Sequence, residues 1–490
     1  MHWIASASCY PWVIVGTVCI GAFLGQLDAS IAGLVLPTLE TSFAAPLADV
    51  EWVAIAYLLA LAALVVPFGR LSDLAGRKML YTCGFLIFII GSALCGLAPD
   101  LTWLIVFRVL QAIGAAMLQA NSVAIITAAV DRRRLGRAIG IQGAAQAIGL
   151  SIGPSVGGFL IDALDWRWVF FIAIPFGLVG TLIGWLVLPQ TNRMAVRAAG
   201  RAQDRFDWPG ALLLGPAIAL LLFALTFANT WGWTSPRMLA VSVLAGGCLA
   251  AFLAAERWAP SPLVDFRLFT RLFSMGIASG LLSYAVLFGS LFLVPFYLER
   301  TLGETAAQTG LLMTPIPVAL GIMAPFAGML TDRVGSRVPT VLGMGMSTAA
   351  LLCLAVLRAP TMPVTLAMLA FLGAGLGMFT PPNNSAIMGS APPHRLGTAG
   401  GILNMTRSLG TSLGVALTGS ILGLLLSVQS SQHIVNTLDA APAELQLAFH
   451  QTLLFLALIA GLAAALSAAR GQSAAQQFST QSVATDSIGV

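Results

Sequence analysis

The chain alternates long apolar runs with short polar breaks. Runs free or nearly free of charge cover residues 12–36, 51–69, 79–98, 101–125, 137–161, 168–188, 207–229, 236–256, 273–297, 307–329, 339–357, 363–388, 398–426 and 450–469. A hydrocarbon core about 30 Å thick is crossed by roughly 20 residues of α-helix, so each run predicts one spanning helix, fourteen in all. The first run is too long for a signal peptide and has no basic stretch before it, which predicts a retained helix. The longest polar break, 190–206 (QTNRMAVRAAGRAQDRF), follows the sixth run. The Ser- and Gln-rich segment 471–490 reads as a disordered tail.

Composition agrees with an all-α integral membrane protein. Of 490 residues, 58% are hydrophobic and 9% charged, where a soluble domain carries about 25% charge. The net charge of +5 could point to nucleic acid, but its placement does not. With both termini inside, Arg70, Arg77, Lys78, Arg132, Arg133, Arg134 and Arg137 share the inner side with most other cations. The outer loops hold only Arg167, Arg237, Arg300 and Arg358. That is the positive-inside pattern, so the charge encodes topology and no nucleic-acid partner is expected. The six cysteines lie singly and read as small core residues. Four scattered histidines form no acid–base pair or metal cluster, which disfavours an integral membrane enzyme. No GxxxxGK[ST] nucleotide loop is present, so no cofactor or metal is expected and the energy source is an ion gradient.

One charged turn is written twice. GRLSDLAGRK at 69–78 and GMLTDRVGSR at 328–337 share Gly, Leu, Asp and Gly at the same spacing. RLGRAIG at 134–140 is echoed by RLGTAGG at 395–401. The glycines Gly140, Gly149, Gly153 and Gly158 align with Gly401, Gly410, Gly414 and Gly419. A duplicated six-helix unit explains both echoes. The expected organisation is an N-terminal bundle over 1–190, a linker with two extra helices over 191–272, a C-terminal bundle over 273–470 and a tail over 471–490. Such repeats, with a site near the bilayer midplane between them, are a transporter design. A passive topology signal would need Arg and Lys but no Asp at a fixed place between glycines. Gly69, Asp73, Gly76 and Arg77, with Asp332 and Arg333 in the copy, are therefore expected to form a cytoplasmic latch, an Asp pairing with an Arg or a helix N-terminus.

Asp28, in GQLDASIAGLVLP, is the one acid well inside a predicted span. A membrane carboxylate is costly and by default functional; a static ion pair is the plainer alternative. Its expected partner is Arg108 in FRVLQAIGAAMLQANS. Counting from the helix ends at about 1.5 Å per residue, both lie roughly 10–12 Å below the outer boundary. Burial favours a neutral carboxyl and a nearby cation favours the charged one, so such a pair can load and release a proton as the site opens. A cationic substrate could also displace the proton by claiming the carboxylate. Arg108, Gln111, Ala115 and Ser122 share one face of the fourth helix. Gln146 corresponds in the repeat to Arg407, with Asn404 one turn earlier, and these three are expected to face a central cavity. Asn383 and Asn384 beside a Pro-Pro break, and Tyr57, complete the expected substrate-binding set with Asp28 and Gln111. For Gln111 and Tyr57, helix packing is an equal alternative. Gly149, Gly153, Pro154, Gly157 and Gly158 leave one side of the fifth helix bare and bend it.

These stretches carry a resemblance. GRLSDLAGRK resembles the loop motif of the major facilitator superfamily, and RVLQAIGAA its fourth-helix motif. The Gly149–Gly153–Pro154–Gly157–Gly158 pattern resembles the antiporter motif of its drug exporters. LDASIAGLVLP, DWRWVFFIAIP, FDWPGALLL and RLGTAGGILNMTRSLGTSLG resemble the fourteen-helix drug:proton antiporter branch. The resemblance implies the superfamily fold, alternating access and proton-driven efflux from the inner membrane of a bacterium, with both termini cytoplasmic. Two departures stand out: Leu74 replaces a frequent basic residue, and no second acid lies in helices nine to fourteen. One membrane carboxylate suits lipophilic monocations, zwitterions or neutral compounds. A dedicated exporter of one metabolite or siderophore on the same fold is the alternative reading. Small molecules, protons and lipid are the expected partners, and the 427–449 loop is where a periplasmic adaptor would dock.

Overall fold

A computed structural model describes residues 9–45, 47–189, 206–259, 262–264, 266–300, 306–357, 361–429 and 442–470. The linker over 190–205 and the tail over 471–490 lie outside them. The described residues form long helices α1 (Tyr10–Phe43), α2 (Trp52–Ala75), α3 (Arg77–Gly96), α4 (Leu101–Ala129), α5 (Leu135–Ala163), α6 (Ala173–Val187) and α7 (Trp208–Trp231). After these come α8 (Pro236–Trp258), α9 (Arg271–Arg300), α10 (Pro315–Val334), α11 (Arg337–Val356), α12 (Met362–Ser390), α13 (Leu396–Gln429) and α14 (Pro442–Ala469). Among the described residues, 13 spans are long and apolar enough to cross a membrane. The remaining helix, α5, is 29 residues long and coincides with the predicted run at 137–161. Lipid offers no hydrogen bonds to exposed backbone, which is why apolar runs of this length become helices.

Helix starts follow local chemistry. Asp100 caps α4 by accepting the Trp103 N–H at 2.9 Å, and Asp207 caps α7 through Gly210 at 2.9 Å. Ends run further than hydropathy predicts. The segment PAELQLAF is a good helix former despite its polar residues, so α14 begins at Pro442 and α13 continues to Gln429. The predicted 427–449 loop thus narrows to 430–441, outside the described residues.

The helices pack as two compact units. The first comprises Met1–Val130, Ala144–Asp265 and Pro393–Ala416; the second comprises Asp131–Gly143, Phe266–Pro392 and Leu417–Val490. Helices α5 and α13 therefore each contribute to both. In the first unit, Leu27, Ile31, Val53, Leu104, Trp166 and Phe170 form a buried core beside the only acid of α1's interior. The extra helices α7 and α8 belong to this unit. Trp52 of α2 packs on Phe223 with centroids 5.9 Å apart, and Ala416 joins Ala224, Ala228 and Met238. Only 17% of the best apolar window of α8 is buried, so most of its surface is left for lipid. The second unit has its own core, including Leu298, Ile316, Met344, Leu372, Phe379 and Leu456.

Candidate functional site

Glycines set the depth of the site. On Gly91 of α3 an added Cβ would lie 2.6 Å from Gln111 Cα, and on Gly114 of α4 it would lie 2.7 Å from Gly84 O. Helices α3 and α4 thus touch along their backbones, which brings the Arg108–Gln111 turn against α1. Arg108 is fully buried and Asp28 nearly so, their side chains 0% and 7% exposed. Arg108 Nη1 donates to both Asp28 oxygens at 3.0 Å and to Gln111 Oε1 at 2.6 Å, while Nε donates to Val53 O at 3.1 Å. Gln111 Nε2 donates to Asp28 Oδ1 at 3.0 Å and to Ser92 Oγ at 3.3 Å. The predicted pair forms, and its carboxylate accepts three donor contacts, two on Oδ1 and one on Oδ2.

Tyr57 supplies the floor. Its ring lies 4.2 Å from the Arg108 guanidinium carbon, with the Phe170 ring at 5.7 Å. Stacked cations of this kind gain about 0.5–2 kcal/mol. Arg108 Nη2 is buried with no acceptor among the described residues. Ser92, whose hydroxyl donates to Phe170 O at 2.7 Å, is a member of the cluster that sequence reading did not include.

The bare side of α5 presses on the same stretch of α1. A Cβ on Gly149 would lie 2.6 Å from Phe23 O and 3.2 Å from Gln26 Cβ; on Gly153 it would coincide with Ser30 Oγ. Ser30 Oγ in turn donates to Gly149 O at 3.3 Å. Gly157 is buried and Gly158 half-buried, and the Pro154 side chain lies outside the described residues. Asp28 is thus held from α4 by charge and from α5 by close backbone contact on neighbouring turns.

One turn along α1, a recess is lined by Gly21, Gly25, Gln26, Gln119, Gln146 and Arg407. Its open space is about 10 Å³, room for one water. Arg407 Nη2 donates to Gln119 Oε1 at 2.5 Å. Asn404 Nδ2 donates to Gln119 O and to Gly400 O, both at 2.9 Å. Gln146 and Arg407 both line this recess; Asn404, expected beside them, is buried and does not. Gln119 was not among the expected residues, yet it stands eleven positions after Arg108, on the face already marked by Gln111 and Ser122.

The duplicated turn has a partner in each copy. Asp73 Oδ1 accepts the Gly397 N–H at 2.9 Å, and Oδ2 accepts that of Thr398 at 3.0 Å. Asp332 Oδ1 accepts the Gly136 N–H at 2.8 Å, and Oδ2 accepts that of Arg137 at 3.0 Å. Each carboxylate sits on the first turn of a helix, α13 or α5, where unsatisfied N–H groups and the positive dipole end favour an anion. Gly69 packs on Gly397 O, and Gly328 on Gly136 O, too closely for a side chain. Gly76 and Gly335 adopt φ of 105° and 82°, conformations that other residues enter only under strain. Arg77 bonds Asp73 at 3.1 Å and Pro393 O at 2.9 Å, while Arg333 is exposed.

Two expected residues lie in the second unit. Asn383 is 1% exposed; its Nδ2 donates to Gly276 O at 3.1 Å, and its Oδ1 accepts from Arg470 Nη2 at 2.6 Å. Asn384 is half-buried. Arg470 also donates to Ser279 Oγ at 2.9 Å. Burial pushes its guanidinium down to about 10, still charged at neutral pH.

The sequence over residues 18–415 matches the Major Facilitator Superfamily model. The chain belongs to this superfamily. Among its relatives is the riboflavin transporter RibZ of Clostridioides difficile, 34% identical over 411 residues that cover 84% of this chain and 88% of that one. The multidrug resistance protein Stp of Mycobacterium tuberculosis is 32% identical, covering 85% and 76% of the two chains. The tetracenomycin C resistance and export protein of Streptomyces glaucescens is 31% identical, covering 84% and 76%. The fold matches the human organic anion transporter MFSD10 with a TM-score of 0.65 at 16% identity, over 93% of this chain and 99% of that one. The protein is therefore a multi-pass membrane transporter of the major facilitator fold and not an enzyme.

Proposed function

We propose that this transporter is a proton-coupled exporter of amphipathic compounds that works by alternating access. The observation that carries the reading is the buried Asp28 carboxylate, bound by Arg108 and Gln111, on the stretch of α1 that the glycines of α5 touch at Phe23, Leu27 and Ser30. With Asp28 charged, the pair is neutral and tightly bonded. A proton on Asp28 leaves Arg108 a lone cation, which Tyr57 and Phe170 hold in place by their ring faces. The carboxyl is then free to part from Arg108, and its proton leaves when the pair re-forms on the other side. The chain itself supplies this switch, with no cofactor beyond the proton gradient.

Asp73 and Asp332 act in the same cycle as paired latches, fastening helix starts in one state and releasing them in the other. The charge pattern supports both termini on the cytoplasmic side, and the bacterial relatives support a bacterial cytoplasmic membrane. The relatives named for multidrug resistance and for export support efflux. The relative named as a riboflavin transporter supports the second reading, a dedicated carrier of one metabolite. Partners are small molecules, protons and lipid; nucleic acid is not one, and an adaptor would meet the outer loops.

The test is dye movement in proteoliposomes under an imposed pH gradient, with wild type beside Asp28→Asn and Asp28→Glu. Gradient-driven movement lost in Asp28→Asn and partly kept in Asp28→Glu supports the reading. Equal transport by Asp28→Asn makes the pair a static brace and removes the coupling role.

A further inference from the structure

The recess beside the switch differs from it in chemistry. Asp28 is already engaged by three donor contacts and is nearly buried, so it offers little to an incoming cation. No carboxylate lines the recess, whereas Arg407 does. Arg407 is half-buried, and its one hydrogen bond among the described residues is from Nη2 to Gln119. Its Nε and Nη1 groups stay open as charged donors.

That bond also fixes the orientation of Gln119. With Oε1 turned to Arg407, the amide presents Nε2 to the α1 wall, 3.8 Å from where a Cβ on Gly25 would stand. Ser122 Oγ donates a hydrogen bond to the backbone oxygen of Gln119 at 3.0 Å. Gln26 and Gln146 add amides that can serve either way. The side from α1 is Ala22, Gly25 and Gln26, with the backbone of Gly21, whose own bare side faces Tyr81 of α3. A fork of charged and amide donors with no carboxylate beside it fits a group that carries several acceptor oxygens.

Resting on the transport reading above, we propose that this recess anchors the substrate and selects acceptor-rich compounds, neutral or anionic, over permanent cations. Arg407 and Gln119 are the specificity-determining residues. The space of about 10 Å³ holds one water, so admitting a ligand requires α1 to move, and α1 also carries Asp28. Gly21, Gly25 and Asp28 lie on one face of that helix, so ligand entry and carboxylate release act on a single element.

The experiment is equilibrium binding to the purified full chain in nanodiscs, with no pH gradient. The probes are anthraquinone-2-carboxylate, 2-(hydroxymethyl)anthraquinone and ethidium, all flat and differing in charge. Wild type is expected to bind both anthraquinones at least tenfold tighter than ethidium. Arg407→Gln should lose at least tenfold for the carboxylate and bind ethidium more tightly than wild type does. Gln119→Glu keeps the partner of Arg407 but turns the donor into a charged acceptor, and should move the preference toward ethidium. Tighter ethidium binding by wild type overturns the proposal, as does unchanged carboxylate binding in Arg407→Gln. If Arg407→Gln does not fold, Gln119→Glu with an unchanged ranking overturns it alone. A chain that binds the anion through Arg407 yet moves no probe under a gradient upholds the recess and refutes the proton-coupled reading.

Discussion

Asp73 and Gly397, far apart in sequence, are joined by a 2.9 Å hydrogen bond from the first turn of α13 to a carboxylate at the end of α2. Asp332 and Gly136 repeat it at 2.8 Å between α10 and α5. Each copy of the charged turn binds a copy of the RLG segment, and the pairing is crossed: the turn of the first half takes the RLG segment of the second, and the reverse.

The first prediction follows from those bonds. An Asn side chain has one acceptor oxygen where Asp has two, so Asp73→Asn leaves either Gly397 or Thr398 without its acceptor. Hydrogen bonds to charged groups contribute about 1.5–3 kcal/mol, roughly a tenfold to hundredfold change in the opening equilibrium. Ser72 is wholly buried next to this contact. A cysteine placed there by Ser72→Cys is expected to react with maleimide at least tenfold faster in the Asp73→Asn background, read by mass spectrometry. An unchanged rate means the contact does not gate that end.

A second prediction concerns Asp28 and Arg108. Removing one partner of a buried ion pair strands the other and costs about 3–5 kcal/mol, whereas removing both can be close to neutral. Asp28→Asn and Arg108→Leu should each lower the thermal midpoint in detergent, and the double variant should recover much of the loss. Additive losses would mean that the two side chains are not energetically coupled.

How far the sequence leads depends on the question. Helix number followed from apolar length, because lipid leaves the backbone one solution. The Asp28–Arg108 pair followed from equal depth, since rise per residue is fixed. Partner choice did not follow. Periodicity marks the face of a helix but not what lies opposite, so the two duplicated motifs were each visible while their crossed pairing was not. Gln119 could have been found, because it continues the Arg108–Gln111 face by two more turns. Asn383 resembles a cavity residue in sequence; Arg470, at the far end of the chain, is what occupies it.

A third prediction separates two kinds of glycine. A Cβ on Gly149 would stand 2.6 Å from the backbone oxygen of Phe23, whereas one on Gly247 meets nothing within 4 Å. Overpacking against backbone costs about 1–3 kcal/mol, while Ala in place of an exposed helical Gly gains about 0.5–1 kcal/mol. Gly149→Ala should lower the thermal midpoint and Gly247→Ala should hold or raise it. The first variant also shifts α1 at the turn before Asp28, so any remaining transport should leak protons, seen as faster collapse of the pH gradient in liposomes without substrate.

The last prediction asks what Asn383 is for. Its oxygen accepts the Arg470 guanidinium at 2.6 Å, and Arg470 Nε and Nη1 are buried with no acceptor among the described residues. No carboxylate lies within ion-pair distance of Arg470 among those residues, so neutral oxygens hold its charge. Asn383→Leu removes the nearest of them and should destabilise the fold by about 1.5–3 kcal/mol, the loss expected for a hydrogen bond to a charged group. Arg470→Met removes the charge together with its need for oxygens, and should cost less than Asn383→Leu although it deletes more hydrogen bonds. Combining the two should cost little more than Arg470→Met alone. Thermal unfolding of the three variants measures this, and probe binding provides the contrast. If Asn383 holds Arg470, binding by the folded fraction of Asn383→Leu stays at wild-type strength. If it contacts substrate, binding weakens while the thermal midpoint stays put.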